Sequence, residues 1–158
     1  MGFKSYICHS NHALGNSKVI HDNQHLINFP KTNNECVFHC VAWHLLGDGK
    51  NDPCRIQAQV KEAFQRYCFY KGISYTLGLF RSFKPVDLLQ VDEFEECFQL
   101  AVNVYSMDVD TGKVECIRRS DSDYDTIHIL SHDNHALYIK NIDMLQSKYQ
   151  CSKCEIFL

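Results

Sequence analysis

Cys36 stands where a cysteine can act as a nucleophile. It falls in the first turn of the most regular helical pattern in the chain, Glu35 to Leu46, directly after Thr32-Asn33-Asn34-Glu35. A helix N-terminus carries unpaired N–H groups and about half a positive charge, which favours thiolate over thiol and can bind a developing oxyanion. Most free cysteines are instead small buried side chains. We assign that role to the other cysteines inside apolar segments: Cys40, Cys68, Cys97 and Cys116.

His135 is the histidine best placed to share a proton with Cys36. In a thiol nucleophile pair the two residues are usually distant in sequence. His39 and His44 lie further along the helix of Cys36, and the N-terminal histidines lie on sequence without a regular period. His135 opens a short strand-like run that ends at Ile139. A histidine at a strand edge beside a helix N-terminus is the arrangement of papain-like thiol hydrolases, so His135 is the candidate general base.

Asp133 is the candidate group for orienting the imidazole and fixing its tautomer. It precedes His135 by two residues, and in an extended chain positions i and i+2 share a face about 6.5 Å apart. Asn141 is a rival, but six extended residues would place it about 20 Å away. Asn141 also has the position of a helix N-cap before Ile142. We therefore prefer Asp133.

An oxyanion hole would complete the site. The backbone N–H of Cys36 supplies one donor, and a side-chain amide from the upstream loop can supply another. We choose Gln24 for this role, with an asparagine of the same loop as the alternative.

Cys151 and Cys154 have the spacing of half a zinc site, which needs four Cys or His ligands. A second half could come from Cys8 and His12, or from sequence beyond Leu158. We favour two unliganded thiols, and we expect neither a metal nor a cofactor in this chain.

Helical patterns come first in the sequence and strand patterns follow. The first helix, Glu35 to Leu46, ends at Gly47-Asp48-Gly49; the second begins at Asp52-Pro53 and reaches Gly72; the third covers roughly Val86 to Phe98. Four strand-like runs come next: Leu100 to Tyr105, Val114 to Arg118, Thr126 to Leu130, and His135 to Ile139. This order predicts an α+β domain in which N-terminal helices pack on a C-terminal antiparallel sheet.

Composition excludes several classes of protein. The chain has 158 residues, of which 45% are hydrophobic and 22% charged, as expected for one globular domain. A net charge of -3 leaves no broad basic surface for nucleic acid, and no apolar stretch is long enough to span a membrane. We interpret residues 1–32 as an irregular N-terminal segment.

The cysteine count predicts a reducing compartment inside the cell. Nine cysteines is an odd number, and no secretory signal follows Met1. In such a compartment cysteines are core thiols, metal ligands or nucleophiles rather than disulfides.

The order of several residue blocks resembles a known family. The blocks are Asn33-Asn34-Glu35-Cys36-Val37-Phe38-His39-Cys40, Gly72-Ile73-Ser74-Tyr75, Phe94-Glu95, Asn103-Val104-Tyr105, Asn134-His135-Ala136-Leu137-Tyr138-Ile139-Lys140-Asn141 and Cys151-x-x-Cys154. They resemble the cysteine-peptidase-like region found N-terminal to the DNA polymerase of Maverick (Polinton) transposons. The resemblance covers about residues 33 to 158, and its specific parts are the Cys36 and His135 blocks.

Such regions are similar to OTU and herpesvirus large-tegument-type deubiquitinases. The resemblance implies a papain-like domain over residues 33–150 that hydrolyses the bond after the C-terminal Gly-Gly of ubiquitin, with Cys36 as nucleophile and His135 as general base. It also implies that residues 151–158 begin a zinc-finger-like element. Expected partners are ubiquitin or ubiquitin chains, and the protein is expected to be a monomer.

Two positions depart from the OTU pattern. Leu137 stands where OTU enzymes often place the orienting residue, and Asn33 replaces an aspartate that precedes the nucleophile by three residues. A rival hypothesis is a non-catalytic interaction module of a transposon-encoded polymerase polyprotein. A nucleic-acid-binding finger is a third possibility, which the charge disfavours.

Overall fold

The structure, a computed structural model, describes residues 7–8, 20, 23–30, 34–47 and 52–147. Within these residues the helices are α1 (Cys36–Leu46), α2 (Gln57–Lys71), α3 (Leu77–Arg81) and α4 (Asp92–Phe98), with a 3-10 turn at Pro53–Arg55. Residues 142–147 are also helical. The first predicted helix is confirmed. The second is split, because Asp52 caps only the 3-10 turn, through its side chain and the Cys54 N–H, and α2 begins after it.

The third predicted helix is wrong in its first half. Residues Val86–Asp87 form a short strand, β3, which pairs with β1 (Ile7–Cys8). The Asp87 carboxylate then accepts a hydrogen bond from the Leu89 N–H at 3.0 Å, which closes a turn before α4. A side-chain bond of this kind competes with helix formation.

The main sheet has five strands: β2 (Leu26–Ile27), β4 (Leu100–Met107), β5 (Val114–Arg118), β6 (Asp125–His132) and β7 (His135–Ile139). Their order across the sheet is β2-β7-β6-β4-β5. The α+β class is confirmed, but the sheet is only mostly antiparallel, because β4 and β6 are parallel.

The parallel pair follows from the path of β5. This strand runs back along β4 and returns the chain to the end of the sheet where β4 starts. Residues 119–124 then cross that end, so β6 starts level with β4, with Leu100 opposite Asp125. Seven of the eight residues of β4 are buried, as expected for a central strand covered on both faces.

Helix α1 lies in the middle of the core rather than on its surface. Its residues from Cys36 to Trp43 are all buried, and it packs against both α2 and β7. Phe38 is fully buried, with ring centroids 5.2–5.6 Å from those of four other aromatic residues: Phe64, Tyr67, Phe83 and Phe94. Such packing holds the N-terminus of α1 in a fixed position against the sheet.

Arg118 fixes the corner where β5 returns beside β4. Its guanidinium donates to the Val102 carbonyl at 2.6 Å, to Asp92 at 2.7 Å and to Glu95 at 3.0 Å. Burial raises the pKa of Glu95, but hydrogen bonds from Arg118, Ser120 and the Val102 N–H outweigh it, so the net pKa is lowered. Helix α4 and strands β4 and β5 therefore share one charged anchor.

We expect Arg118→Met to destabilise the protein by about 2–3 kcal/mol at pH 7, because it leaves the poorly exposed Glu95 carboxylate without its cation. The lowered pKa of Glu95 contributes stability above its unfolded pKa, and this contribution is lost as the pH falls through the folded pKa. The difference from wild type should therefore shrink by pH 3 in urea unfolding. The exposed neighbour Arg119→Met is the matched control. Equal stability of both variants at pH 7 would refute this role.

Candidate active site

Cys36 begins α1, and its sulfur lies against the start of β7. The backbone N–H of Ala136 donates a hydrogen bond to Cys36 Sγ at 3.4 Å. Ala136 follows His135 directly, so the backbone beside the predicted base contacts the predicted nucleophile although 98 residues separate Cys36 and His135 in sequence. No hydrogen bond joins either ring nitrogen of His135 to Cys36 Sγ. Cys36 is 1% exposed and His135 is 2% exposed.

Ala136 is the residue of β7 that both Cys36 and Cys40 of α1 contact. One helical turn after Cys36, the Cys40 thiol donates to the Ala136 carbonyl at 3.9 Å, so two cysteines of α1 contact the two polar backbone atoms of one residue. Ala136 itself is fully buried. Its small side chain suits the close approach of helix and strand.

His135 has an unusual environment for a buried histidine. Both of its ring nitrogens are buried without a hydrogen-bond partner. Burial, reinforced by the nearby His39 and His132, lowers its pKa to about 4, so the ring is neutral at pH 7. An unpaired buried polar group costs about 1–3 kcal/mol, and native proteins keep few of them.

The structure contradicts the geometric reason for choosing Asp133. Asp133 and Asn134 form the two-residue turn between β6 and β7, with φ of 48° and 60°, instead of continuing an extended strand. Positive φ at both positions is typical of a type I′ hairpin turn. The Asp133 carboxylate lies 3.4 Å from His132 Nε2, and it makes no hydrogen bond to either nitrogen of His135.

Asn141 has the capping role that its sequence position predicts. Its side-chain oxygen accepts a hydrogen bond from the Met144 N–H at 3.0 Å, at the start of the helical residues 142–147. This part of the prediction is confirmed, and it accounts for Asn141 without a role at His135.

Gln24 lies at the wrong end of β7 for an oxyanion donor to Cys36. It is an exposed turn residue, and the neighbouring His25 carbonyl accepts a hydrogen bond from Lys140 N–H at 2.8 Å. Lys140 lies four residues beyond Ala136, which corresponds to about 13 Å along a strand. The choice of Gln24 is therefore wrong, because this residue lies too far from Cys36 to act as an oxyanion donor.

Asn34 fits the alternative of an asparagine from the upstream loop. It lies two residues before Cys36 with a φ of 62°, and its amide nitrogen donates to the Phe83 carbonyl at 3.0 Å. The amide has a second N–H, so Asn34 can supply a donor near the N-terminus of α1. Asn33 lies outside the described residues.

Sequence reasoning set His39 aside because it lies on the helix of Cys36, and His39 contributes to the lowered pKa of His135. Its Nδ1–H donates to the Glu35 carbonyl at 3.1 Å, and its ring centroid is 5.3 Å from that of Phe29. Burial lowers the pKa of His39 more than this hydrogen bond raises it. The signal was the i, i+3 spacing from Cys36, which puts the two side chains on one helix face.

Cys36 is disulfide-bonded in the structure, and the cysteine that completes the bond is outside the residues whose side chains are described. Among the residues with described side chains, five other cysteines are free: Cys40, Cys54, Cys68, Cys97 and Cys116. The expectation of thiols instead of disulfides therefore holds for these five and is wrong for Cys36. A sulfur in a disulfide has no thiolate, so Cys36 becomes a nucleophile only after reduction.

The described part of the chain contains no group of three or more His, Cys, Asp and Glu side chains arranged to hold a metal ion. Cys151 and Cys154, whose spacing is that of half a zinc site, and the side chains of Cys8 and His12 lie outside that part. Among the same residues no helix has the length and apolar character needed to cross a membrane.

Comparison with known proteins returned no matching family model, no matching curated protein and no matching solved structure. The likeness to the transposon peptidases therefore depends on the residue blocks quoted above.

We expect iodoacetamide to modify Cys36 only after a thiol reductant has opened its disulfide. Unreduced protein should be alkylated at the exposed Cys54 and Cys116 but not at Cys36, as read by peptide mass spectrometry. Alkylation of Cys36 without reductant, at the rate of Cys54, would show that the bond does not form in solution.

His135 should make stability depend on pH below neutrality. Its folded pKa of about 4 lies below an unfolded value near 6.5, so the unfolded chain binds a proton that the folded protein does not. Stability should fall as the pH drops from about 6.5 toward 4, by up to about 3 kcal/mol. His135→Gln should reduce this slope in urea unfolding at pH 7, 6 and 5. An unchanged slope would contradict the lowered pKa.

Proposed function

We propose that the chain is a thiol-dependent peptidase, with Cys36 as nucleophile and His135 as general base. The hydrogen bond from Ala136 N–H to Cys36 Sγ carries the proposal, since it joins a helix-N-terminal cysteine to the backbone beside a histidine. The α1 N-terminus favours a thiolate and offers N–H groups to an oxyanion. Neither ring nitrogen of His135 is engaged in a hydrogen bond, so the ring is available to take a proton from a thiol that comes within hydrogen-bond distance.

In this proposal the Cys36 thiolate attacks a substrate carbonyl after its proton passes to His135. The tetrahedral oxyanion is held by N–H groups at the start of α1, with Asn34 as a side-chain donor. The protonated His135 then gives its proton to the leaving amine, and water hydrolyses the thioester.

The narrower proposal is a deubiquitinase with a papain-like fold. The resemblance of the Cys36 and His135 blocks to transposon and OTU-like enzymes supports it, as does the order of helices before the sheet. The substrate bond would follow the C-terminal Gly-Gly of ubiquitin, and the enzyme would act as an intracellular monomer on ubiquitin or its chains. Glycine suits a site where both reacting residues are buried, because it needs no side-chain pocket.

The experiment is labelling with ubiquitin that carries a C-terminal electrophile, on protein first reduced with a thiol. We expect a covalent adduct at Cys36, seen by gel shift and mass spectrometry, and its loss in Cys36→Ser. Cys40→Ser is the matched control, one helical turn away on the same face, and should keep the adduct. No adduct with reduced wild type, or an adduct that persists in Cys36→Ser, would reject the proposal.

Two observations favour a second candidate, the non-catalytic interaction module. Cys36 is buried, and its sulfur is in a disulfide. In such a module the bond would be purely structural, and breaking it would cost about 2–4 kcal/mol of stability. If the reduced protein loses this stability and forms no ubiquitin adduct, the result would support the non-catalytic interaction module.

A further inference from the structure

The disulfide of Cys36 is completed by one of three cysteines. Of the nine cysteines in the sequence, five are free thiols: Cys40, Cys54, Cys68, Cys97 and Cys116. The other possible partners are Cys8, Cys151 and Cys154, whose side chains lie outside the described part of the chain. Of these three, Cys8 has a described backbone position, in strand β1. The surroundings of β1 therefore bear on the choice of partner.

Strand β1 is connected through β3 to the start of α1. Cys8 lies opposite Val86 in the antiparallel pair of β1 and β3. Three residues before Val86, the Phe83 carbonyl accepts the 3.0 Å hydrogen bond from the Asn34 amide. Asn34 precedes Cys36 by two residues. The pairing with β3 therefore brings Cys8 to a segment that is bonded to the chain just before Cys36.

A second contact places β1 beside the strand that Cys36 touches. Cα atoms of β1 lie within 8 Å of Cα atoms of β7, and Ala136 of β7 donates its N–H to Cys36 Sγ. Strand β2 pairs with β7 at Tyr138 and Ile139, in the half of β7 that is further from α1. Two separate routes, one through β3 and one through β7, thus lead from β1 to the N-terminus of α1.

The two C-terminal cysteines follow a helical segment, residues 142–147, on the other face of the sheet. Neighbouring side chains of a strand point to opposite faces. Ala136 of β7 packs in one apolar cluster with α1, whereas Leu137 packs in another cluster with Leu145. The helical segment is therefore separated from α1 by the sheet, and the residues from 148 to Cys151 span at most about 14 Å. The backbone of β1 is already on the side of Cys36.

We propose that Cys8 completes the disulfide of Cys36, and that this bond keeps the enzyme latent until a thiol reductant opens it. The inference rests on the proposed function, because it concerns the same nucleophile. While the bond is intact, Cys36 has no thiolate and cannot attack a carbonyl. The bond also holds β1 covalently beside the start of α1, where the oxyanion donors lie.

The activating step is an exchange with two molecules of a low-molecular-weight thiol. The first thiolate attacks the Cys8 sulfur, because Cys36 is only 1% exposed, and forms a mixed disulfide. The electron pair of the broken S–S bond leaves with Cys36, whose thiolate is stabilised by the helix N-terminus and by the Ala136 N–H. The second thiolate attacks the reductant sulfur of the mixed disulfide and releases Cys8, which takes up a proton. The protein gains two electrons, and the reductant becomes its own disulfide.

Disulfide mapping of unreduced wild type tests the pairing without any variant. Free thiols are blocked with iodoacetamide in denaturant before trypsin digestion. Cys8 lies in the tryptic peptide Ser5–Lys18 and Cys36 in Thr32–Lys50, while the two C-terminal cysteines lie in separate peptides. We expect these first two peptides to be linked and to separate after reduction. A link from Cys36 to a C-terminal cysteine, or an unlinked Cys36, would overturn the inference.

The variant Cys8→Ser tests the latent state. Without reductant, it should open Cys36 to iodoacetamide and to the ubiquitin electrophile at the rate of reduced wild type. Reduced wild type also lacks the bond, so it is the reference for folding, read by circular dichroism. Cys151→Ser and Cys154→Ser are matched controls, in which Cys36 should stay unmodified until a thiol is added. The inference fails if Cys36 is modified in reduced wild type but not in unreduced Cys8→Ser, or if either control exposes Cys36.

This inference and the proposed function fail in different ways. A mapped link between Cys8 and Cys36, in a protein whose reduced form gives no ubiquitin adduct, would reject the peptidase and leave a structural disulfide without a latent enzyme. A ubiquitin adduct at Cys36 in reduced protein, without that link in unreduced protein, would keep the peptidase and reject its control by Cys8.

Discussion

The backbone of Ala136 is the point on which the site depends. Cys36 accepts from its N–H and Cys40 donates to its carbonyl, so the buried helix α1 meets strand β7 through one residue without a bulky side chain. The aromatic rings around Phe38 hold the helix, and pairing with β6 and β2 holds the strand. The backbone next to His135 lies beside Cys36 because helix α1 and strand β7 both begin at this contact.

Hydrophobic periodicity was enough to predict most of the fold. The helix at Cys36–Leu46 and the four long strands were predicted from the spacing of their apolar residues and the turn residues between them. In the structure most residues of α1 and β4 are buried on all sides. The parallel pairing of β4 and β6 could not be predicted in the same way. It is set by tertiary contacts such as Arg118 with Val102 and Glu95, which join residues far apart in sequence.

The sequence was a good guide to the candidate residues that begin a helix or a strand. It was a poor guide to residues whose position depends on a turn or on the register of a strand. Cys36 and His135 each begin an element, and the structure places Cys36 Sγ against the backbone of Ala136, the residue after His135. Asp133 was chosen on the assumption of an extended chain, and its positive φ in the hairpin turn removes that basis. Gln24 was a wrong choice because the register of β2 on β7 cannot be read from the sequence. The Cys36 disulfide contradicts an expectation drawn from composition alone.

The proposed function requires that the buried residues Cys36 and His135 act together on a bond after the ubiquitin C-terminus. The most direct measurement is steady-state hydrolysis of a fluorogenic amide at the ubiquitin C-terminus by reduced protein, comparing wild type with His135→Ala. We expect hydrolysis by wild type and a loss of about 10²–10⁴-fold in kcat/KM in the variant, the range for removing a general acid–base group. No hydrolysis by reduced wild type, or equal rates for the two proteins, would contradict a Cys36–His135 peptidase.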